Sequence, residues 1–310
     1  MSLLKALVDS VCDRGLLDEA CAILKVTPPA GDADADPALQ SRIFGLVADA
    51  AILSAGFREK MFKPGYPENL GLIGYMSDRD LRYAVTSGFS NAAKVFEYIE
   101  KYCQLPDGAS ILDFGCGTLR VSRYLIQFKP QYRYLACEVN PHSLEWVMTR
   151  FGDAARIFPM NERPPLELAD GSVDFAFAWS IFSHYSERLH RDWLEELHRI
   201  LRPGGYLLAT IHGGTLLDRV RNEEGMLSQL RGDGVDMGRV GQDYASPGYG
   251  YYSCYPEGVE SVKWNPKDFG MSFISPGYIE REWSKLFEVV TIDPGVISNF
   301  QDVVLLRRPA

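Results

Sequence analysis

A chain of 310 residues is longer than an average domain but within reach of one α/β domain with extensions, and 46% hydrophobic with 24% charged residues describes a globular protein. The net charge of −9 has the wrong sign for a groove that tracks a phosphate backbone, so no nucleic acid is expected as the main partner. No apolar run approaches the length that spans a bilayer, the N-terminus has no long apolar signal core, and the six cysteines show neither a Cys-x-x-Cys pair nor metal-like spacing with histidine, so a cytoplasmic protein with reduced thiols and no membrane association is expected.

The first elements are helical. Residues 3–26 read as a short helical pair broken at Gly15, residues 27–37 as a Pro- and Asp-punctuated linker, and residues 38–55 as an Ala-rich helix. An aromatic loop and a short helix over 77–86 follow. A helix over 90–103 comes next, with Ser90 as its cap and Ala92, Val95, Phe96, Ile99, Tyr102 and Cys103 on one face. Strands and helices then alternate, which predicts a parallel sheet. Strands fall at 110–114, 133–138, 155–159, 173–179 and 205–211. Helices fall at 119–128, 140–152 (capped by Asn140) and 187–201, with "RPGG" as the turn into the fifth strand. Residues 213–275 break the rhythm with a Gly- and Tyr-rich insertion, and a helix at 276–285 leads to strands at 287–293 and 301–307.

The chemistry begins at "DFGCG", Asp113 to Gly117, at the end of the first strand. Glycines there let backbone approach a ligand, the next helix offers free N–H groups, and Glu138 ends the second strand where an acid accepts hydrogen bonds from ribose hydroxyls. A nucleoside site at the carboxyl edge of an open sheet follows. A dinucleotide site wants a third glycine two residues further on, and Leu119 and Arg120 occupy that stretch. S-adenosylmethionine carries no pyrophosphate and needs only the acid and the first two glycines.

These residues resemble the class I S-adenosylmethionine-dependent methyltransferases, most strongly over 105–212. The carriers are "DFGCG", Glu138, the stretch before and after strand four, and "LRPGG" before strand five; the tail from 276 is similar to the last helix and hairpin of bacterial members. The resemblance implies an α/β fold with a Rossmann-like seven-stranded, mostly parallel sheet flanked by helices. It further implies a methyltransferase domain over 86–310, an N-terminal helical extension over 1–85, and a β/loop insertion after strand five. The helices of the extension either cap the cleft or form a subunit interface, as in a homodimer. Leu119 is expected to begin the helix and pack inward.

The resemblance also assigns roles. Asp113, Gly115 and Gly117 line S-adenosylmethionine and its product S-adenosylhomocysteine, and Glu138 holds the ribose. Asn161 is either a contact for the adenine amino group or a plain loop residue, and Trp179 and Ser180 stand near the methionine part. His184 and His212 follow strands four and five and are candidate general bases, with His184 ranked first; each has a loop-stabilising role as its alternative. His142, His190 and His198 are expected at the surface. Tyr244, Tyr249, Tyr251, Tyr252 and Tyr255 are candidate walls for a substrate, or else part of a hairpin extension. No carboxylate cluster calls for a metal. The function so implied is methyl transfer to a small molecule, by preference at oxygen; nitrogen or carbon methylation, a non-catalytic cofactor-binding protein and an NAD-dependent oxidoreductase are the alternatives.

Overall fold

Strands that read as unbroken apolar runs are stable only where both faces of a sheet are covered. The computed structural model, which describes residues 2–33, 36–62, 65–66, 81–230, 232, 234–254 and 267–310, places them that way. The strands are β1 (Ser110–Phe114), β2 (Arg133–Glu138), β3 (Arg156–Pro159), β4 (Val173–Ala178), β5 (Leu201–Ile211), β6 (Tyr249–Tyr252), β7 (Met271–Ile274), β8 (Glu288–Ile297) and β9 (Gln301–Arg307). Seven of them form one sheet in the order β3-β2-β1-β4-β5-β9-β8, and β6 and β7 pair separately. The β2–β3, β1–β4 and β4–β5 pairs are parallel, and β9 runs antiparallel to β5 and β8. The expected Rossmann-like architecture is therefore present. Chain order reverses between β1 and β4, and the carboxyl ends of strands at such a switch point form the ligand crevice of open α/β sheets.

The chain divides into two compact units, Met1–Gly108 with Cys116–Pro159, and Ala109–Gly115 with Met160–Ala310. The first holds α1 (Leu3–Asp13), α2 (Leu16–Leu24), α3 (Pro37–Leu53), α4 (Ala55–Met61), α5 (Leu81–Tyr98), α6 (Ser122–Phe128) and α7 (Pro141–Phe151), together with β2 and β3. Gly15, with φ 62°, makes the break expected between α1 and α2. The predicted helix over 90–103 instead starts no later than Leu81 and ends in a π turn, Ile99–Cys103. Ser90 lies inside α5 and caps nothing. Gly88, within the helix, is a packing residue: a Cβ there would stand 2.6 Å from the Arg120 carbonyl oxygen. Leu119 does pack inward at 0% exposure but does not begin the helix. Its φ is +55°, and its carbonyl accepts the Arg123 N–H just ahead of α6.

The second unit holds the other strands and α8 (Glu187–Ile200), α9 (Gly214–Asn222), α10 (Met226–Gln229), α11 (Met237–Ala245) and α12 (Pro276–Glu282). "RPGG" lies within β5, not before it. The strand already pairs at Leu201 with Val173, and the register shifts between Val173 and Phe175 to take up Pro203 and Gly204. Among its described residues, the expected β/loop insertion is largely helix and strand, in α9, α10, α11, β6 and β7. Leu216, Leu217, Val220, Met226, Leu230, Val240, Tyr252, Met271 and Phe273 give it a core of its own. His190 is another correction: at 1% exposure it sits inside an aromatic box of Phe182, Tyr249 and Trp283.

Candidate functional site

In the first unit, the loop after β1 is tied to β2. The Cys116 N–H donates to the Cys137 carbonyl, and the Gly117 N–H donates to Glu138 Oε2 at 2.7 Å. Glu138 Oε1 accepts the N–H groups of Val139 at 3.0 Å and Asn140 at 2.7 Å. Burial pushes the Glu138 carboxyl up from its usual range, against the pull of those three N–H donors. A carboxylate accepts about four hydrogen bonds, so one position, on Oε2, is left for a ligand hydroxyl. Gly117 has φ +55°, and a Cβ built on it meets nothing within 4 Å. Open space over a left-handed glycine beside a buried acid fits the ribose end of a nucleoside. Asn140 does cap α7, through the N–H groups of His142 and Ser143.

In the second unit, the switch point itself is built from the ends of β1 and β4. Asp113, 4% exposed, pairs in register with Phe177. Gly115 has φ +75°, a left-handed backbone that favours glycine, and it lies against the Ile181 side chain. Trp179 is buried directly after β4. Ser180 has φ 59°, its N–H donates to Thr210 Oγ1 at 2.7 Å, and its hydroxyl donates to Gln301 Oε1 at 2.9 Å. Asn161 is exposed after β3.

The two candidate bases come together. The rings of His184 and His212 stand edge to face with centroids 6.0 Å apart. His184 stacks on Phe269 at 5.2 Å, and its Nδ1 lies 2.9 Å from the Gly270 carbonyl oxygen. A carbonyl only accepts, so it holds the proton on Nδ1 and leaves the lone pair on Nε2. Burial lowers the His184 pKa, and burial with the neighbouring His184 brings His212 down to about 3. Both rings are neutral near pH 7. His212 Nε2 faces the Gln301 amide nitrogen at 3.5 Å, and that amide also donates to Ser183 Oγ at 3.3 Å.

Several members of this site carry no signal in the sequence. Gln301 and Asp302 arrive because β9 runs antiparallel to β5, which sets Asp302 opposite Ile211. The Asp268–Gly270 segment lies against the His184 loop: the Gly270 N–H donates to the His184 carbonyl, and Asp268 accepts from Ser186 Oγ at 2.9 Å and from the Arg163 and Arg188 guanidiniums at 2.7 Å. Of the expected tyrosine walls, Tyr249 is buried with its hydroxyl on the Tyr185 carbonyl, and Tyr252 packs in the core of the insertion. Tyr244 is half-buried near Gly214, and Tyr255 lies outside the described residues.

Residues 111–205 match the family described as "Methyltransferase domain". A malonyl-[acyl-carrier protein] O-methyltransferase of Hahella chejuensis is 31% identical over 129 residues, 42% of this chain and 43% of that protein. A tRNA (carboxymethyluridine(34)-5-O)-methyltransferase of Arabidopsis thaliana is 29% identical over 125 residues, 40% of this chain and 28% of that protein. The likeness thus spans less than half the length of either curated relative. Among solved structures, the PH0226 protein of Pyrococcus horikoshii superposes with a TM-score of 0.51 at 12% identity, over 79% of this chain and all of that one, which speaks for the fold alone.

Proposed function

We propose that this chain, which carries a class I S-adenosylmethionine-dependent methyltransferase domain over residues 111–205, methylates an oxygen atom of a small molecule. The observation that carries the reading is the neutral His184, its proton held on Nδ1 by the Gly270 carbonyl, just after the strand β4 whose end forms the switch point. The two curated relatives described above are named for methylation at oxygen, which supports the choice of atom. The net charge of −9 supports a small acceptor over RNA.

When bound, S-adenosylmethionine supplies an electrophilic sulfonium methyl group. Glu138 would hold a ribose hydroxyl on its remaining acceptor position, and the Gly117 turn would lie against the nucleoside. Asp113, Gly115, Trp179 and Ser180 would hold the methionine end, with Asn161 as candidate partner of the adenine amino group. His184 Nε2 would accept the proton of the acceptor hydroxyl, because a neutral imidazole near pH 7 is the form that can take it. His212 is engaged with Gln301 and would support the ring of His184 by packing against its edge. Much of the rate in such a displacement comes from alignment and exclusion of water, which the aromatic surroundings of the two histidines favour.

The reading is tested by calorimetry with S-adenosylmethionine, S-adenosylhomocysteine and NAD, with Glu138→Ala alongside. Binding of the two adenosyl compounds at about 1 μM, about −8 kcal/mol, is expected, with loss in the variant and no heat from NAD. No binding of either compound would withdraw the proposal. Transfer of tritium from labelled S-adenosylmethionine, offered a low-molecular-weight metabolite extract and total tRNA in parallel, decides the acceptor class; label in tRNA alone would replace the small-molecule reading.

A further inference from the structure

Asp302 is 2% exposed, yet among the described residues it accepts one hydrogen bond, from the Gly295 N–H to Oδ1 at 2.7 Å, and makes no ion pair. An ionised carboxylate accepts about four, so Oδ2, with no donor among the described residues, is left for a ligand. Burial accordingly pushes its carboxyl up. The backbone is shaped around this acid. A Cβ on Gly213 would overlap Oδ2, and a Cβ on Gly214 would stand 3.0 Å from the Tyr244 hydroxyl. The two glycines after His212 therefore make room for a carboxylate and a phenol. Tyr244 lies close enough for Asp302 and Asp218 to help burial raise its pKa.

The location is the edge where ligands enter open sheets. Asp302 opposes Ile211, the residue before His212. The rings of Phe300 and Phe273 stand 5.4 and 5.7 Å from that of His212, and Phe269 covers His184. A donor group on a ligand entering at this edge would meet the open oxygen of Asp302.

We infer that Asp302 is the specificity-determining carboxylate for the methyl acceptor, binding a hydroxyl or protonated amine on a small molecule and rejecting anions. The inference rests on the methyltransferase reading for the word acceptor, but the donor site itself stands on Asp302, Gly213 and Tyr244. A donor from the ligand would complete the carboxylate, whereas a ligand carboxylate or phosphate would meet like charge in a buried setting.

Ligand-observed NMR titration of the full chain, saturated with S-adenosylhomocysteine, with benzylamine, benzyl alcohol and benzoate reads this directly. The expected order is benzylamine, then benzyl alcohol, then benzoate, with about tenfold between first and last. Asp302→Asn keeps an oxygen for the Gly295 N–H and the same volume beside Gly213, so it should melt at the wild-type temperature while the three probes become nearly equal. Equal probes in the wild type, a preference for benzoate, no detectable binding of any probe, or an unchanged order in Asp302→Asn would each overturn the assignment. A fall in melting temperature with the order intact would make Asp302 a brace for the Gly295 turn and nothing more. Calorimetry of S-adenosylhomocysteine on the same sample keeps the two readings apart. Its failure sinks the methyltransferase reading, and the probe order without it still decides the donor site.

Discussion

Leu119 stands where a dinucleotide motif would carry its third glycine, and it holds a left-handed backbone, φ +55°, with a fully buried side chain. Two opposing terms meet at this residue. The left-handed conformation costs a residue with a Cβ about 1–2 kcal/mol, which glycine avoids, although glycine returns roughly 0.4–1 kcal/mol through its freer unfolded chain. The side chain packs with Cys116, Ala136, Val147 and Phe151, and removing a buried leucine down to alanine costs about 2–5 kcal/mol, transfer and cavity together. Burial wins, so both truncations should destabilise. Leu119→Ala keeps the backbone strain and loses the packing, about 2–5 kcal/mol. Leu119→Gly loses the packing and sheds the strain, so it should be the milder change by roughly 1 kcal/mol. Urea denaturation followed by far-UV circular dichroism, at constant m-value, measures both. An alanine variant more stable than the glycine variant would refute the opposition of terms, and a glycine variant as stable as wild type would show that the side chain contributes nothing.

Glu138→Gln should weaken S-adenosylhomocysteine binding by about tenfold or more in calorimetry, because an amide cannot accept from Gly117, Val139, Asn140 and a ribose hydroxyl at once; unchanged affinity would free the ribose of this residue. His184 titrates below its ordinary value, so the acid limb of kcat/KM should have its midpoint below pH 6.5, and His184→Gln should lower kcat with cofactor affinity intact. His212 is held neutral down to about pH 3, so the unfolded chain binds more protons than the folded one below pH 6.5. Stability from this group is full above 6.5 and falls as the pH drops toward 3; the stability advantage of wild type over His212→Gln in urea melts should narrow between pH 7.5 and 5. Asp268→Ala strips the acceptor from Arg163, Arg188 and Ser186 next to Phe269 and Gly270, and should cost about 1–3 kcal/mol in chemical denaturation at pH 7. Asp268 resists protonation: burial works upward, but hydrogen bonds from Arg188 and Ser186 and the two arginine charges hold it low. Its contribution is therefore present above about pH 4 and lost as the pH falls through its folded value.

The sequence by itself determined the elements whose signals are local. Strand β1 running into "DFGCG", the acid ending β2, the Asn140-Pro141 start of α7 and the final hairpin all rest on side-chain periodicity, φ preferences and caps within a few residues of each other. Those same signals place the carboxyl edge of the sheet, and hence Asp113, Gly115, Gly117, Glu138, His184 and His212. Where local signals competed, the sequence misled. Ser90 looks like a helix cap until the helix is seen to run from Leu81 through it, and His190 looks like a surface residue until Phe182, Tyr249 and Trp283 close around it. Tertiary structure alone decided what stands around the two histidines. Gln301 reaches His212 through an antiparallel pairing of β9 with β5 across about ninety residues, and Gly270 fixes the proton of His184 from a segment 86 residues away. No pattern along the chain encodes such contacts, because each depends on which strands pair and in which register. That choice is made by burial of the whole sheet and not by any stretch of it.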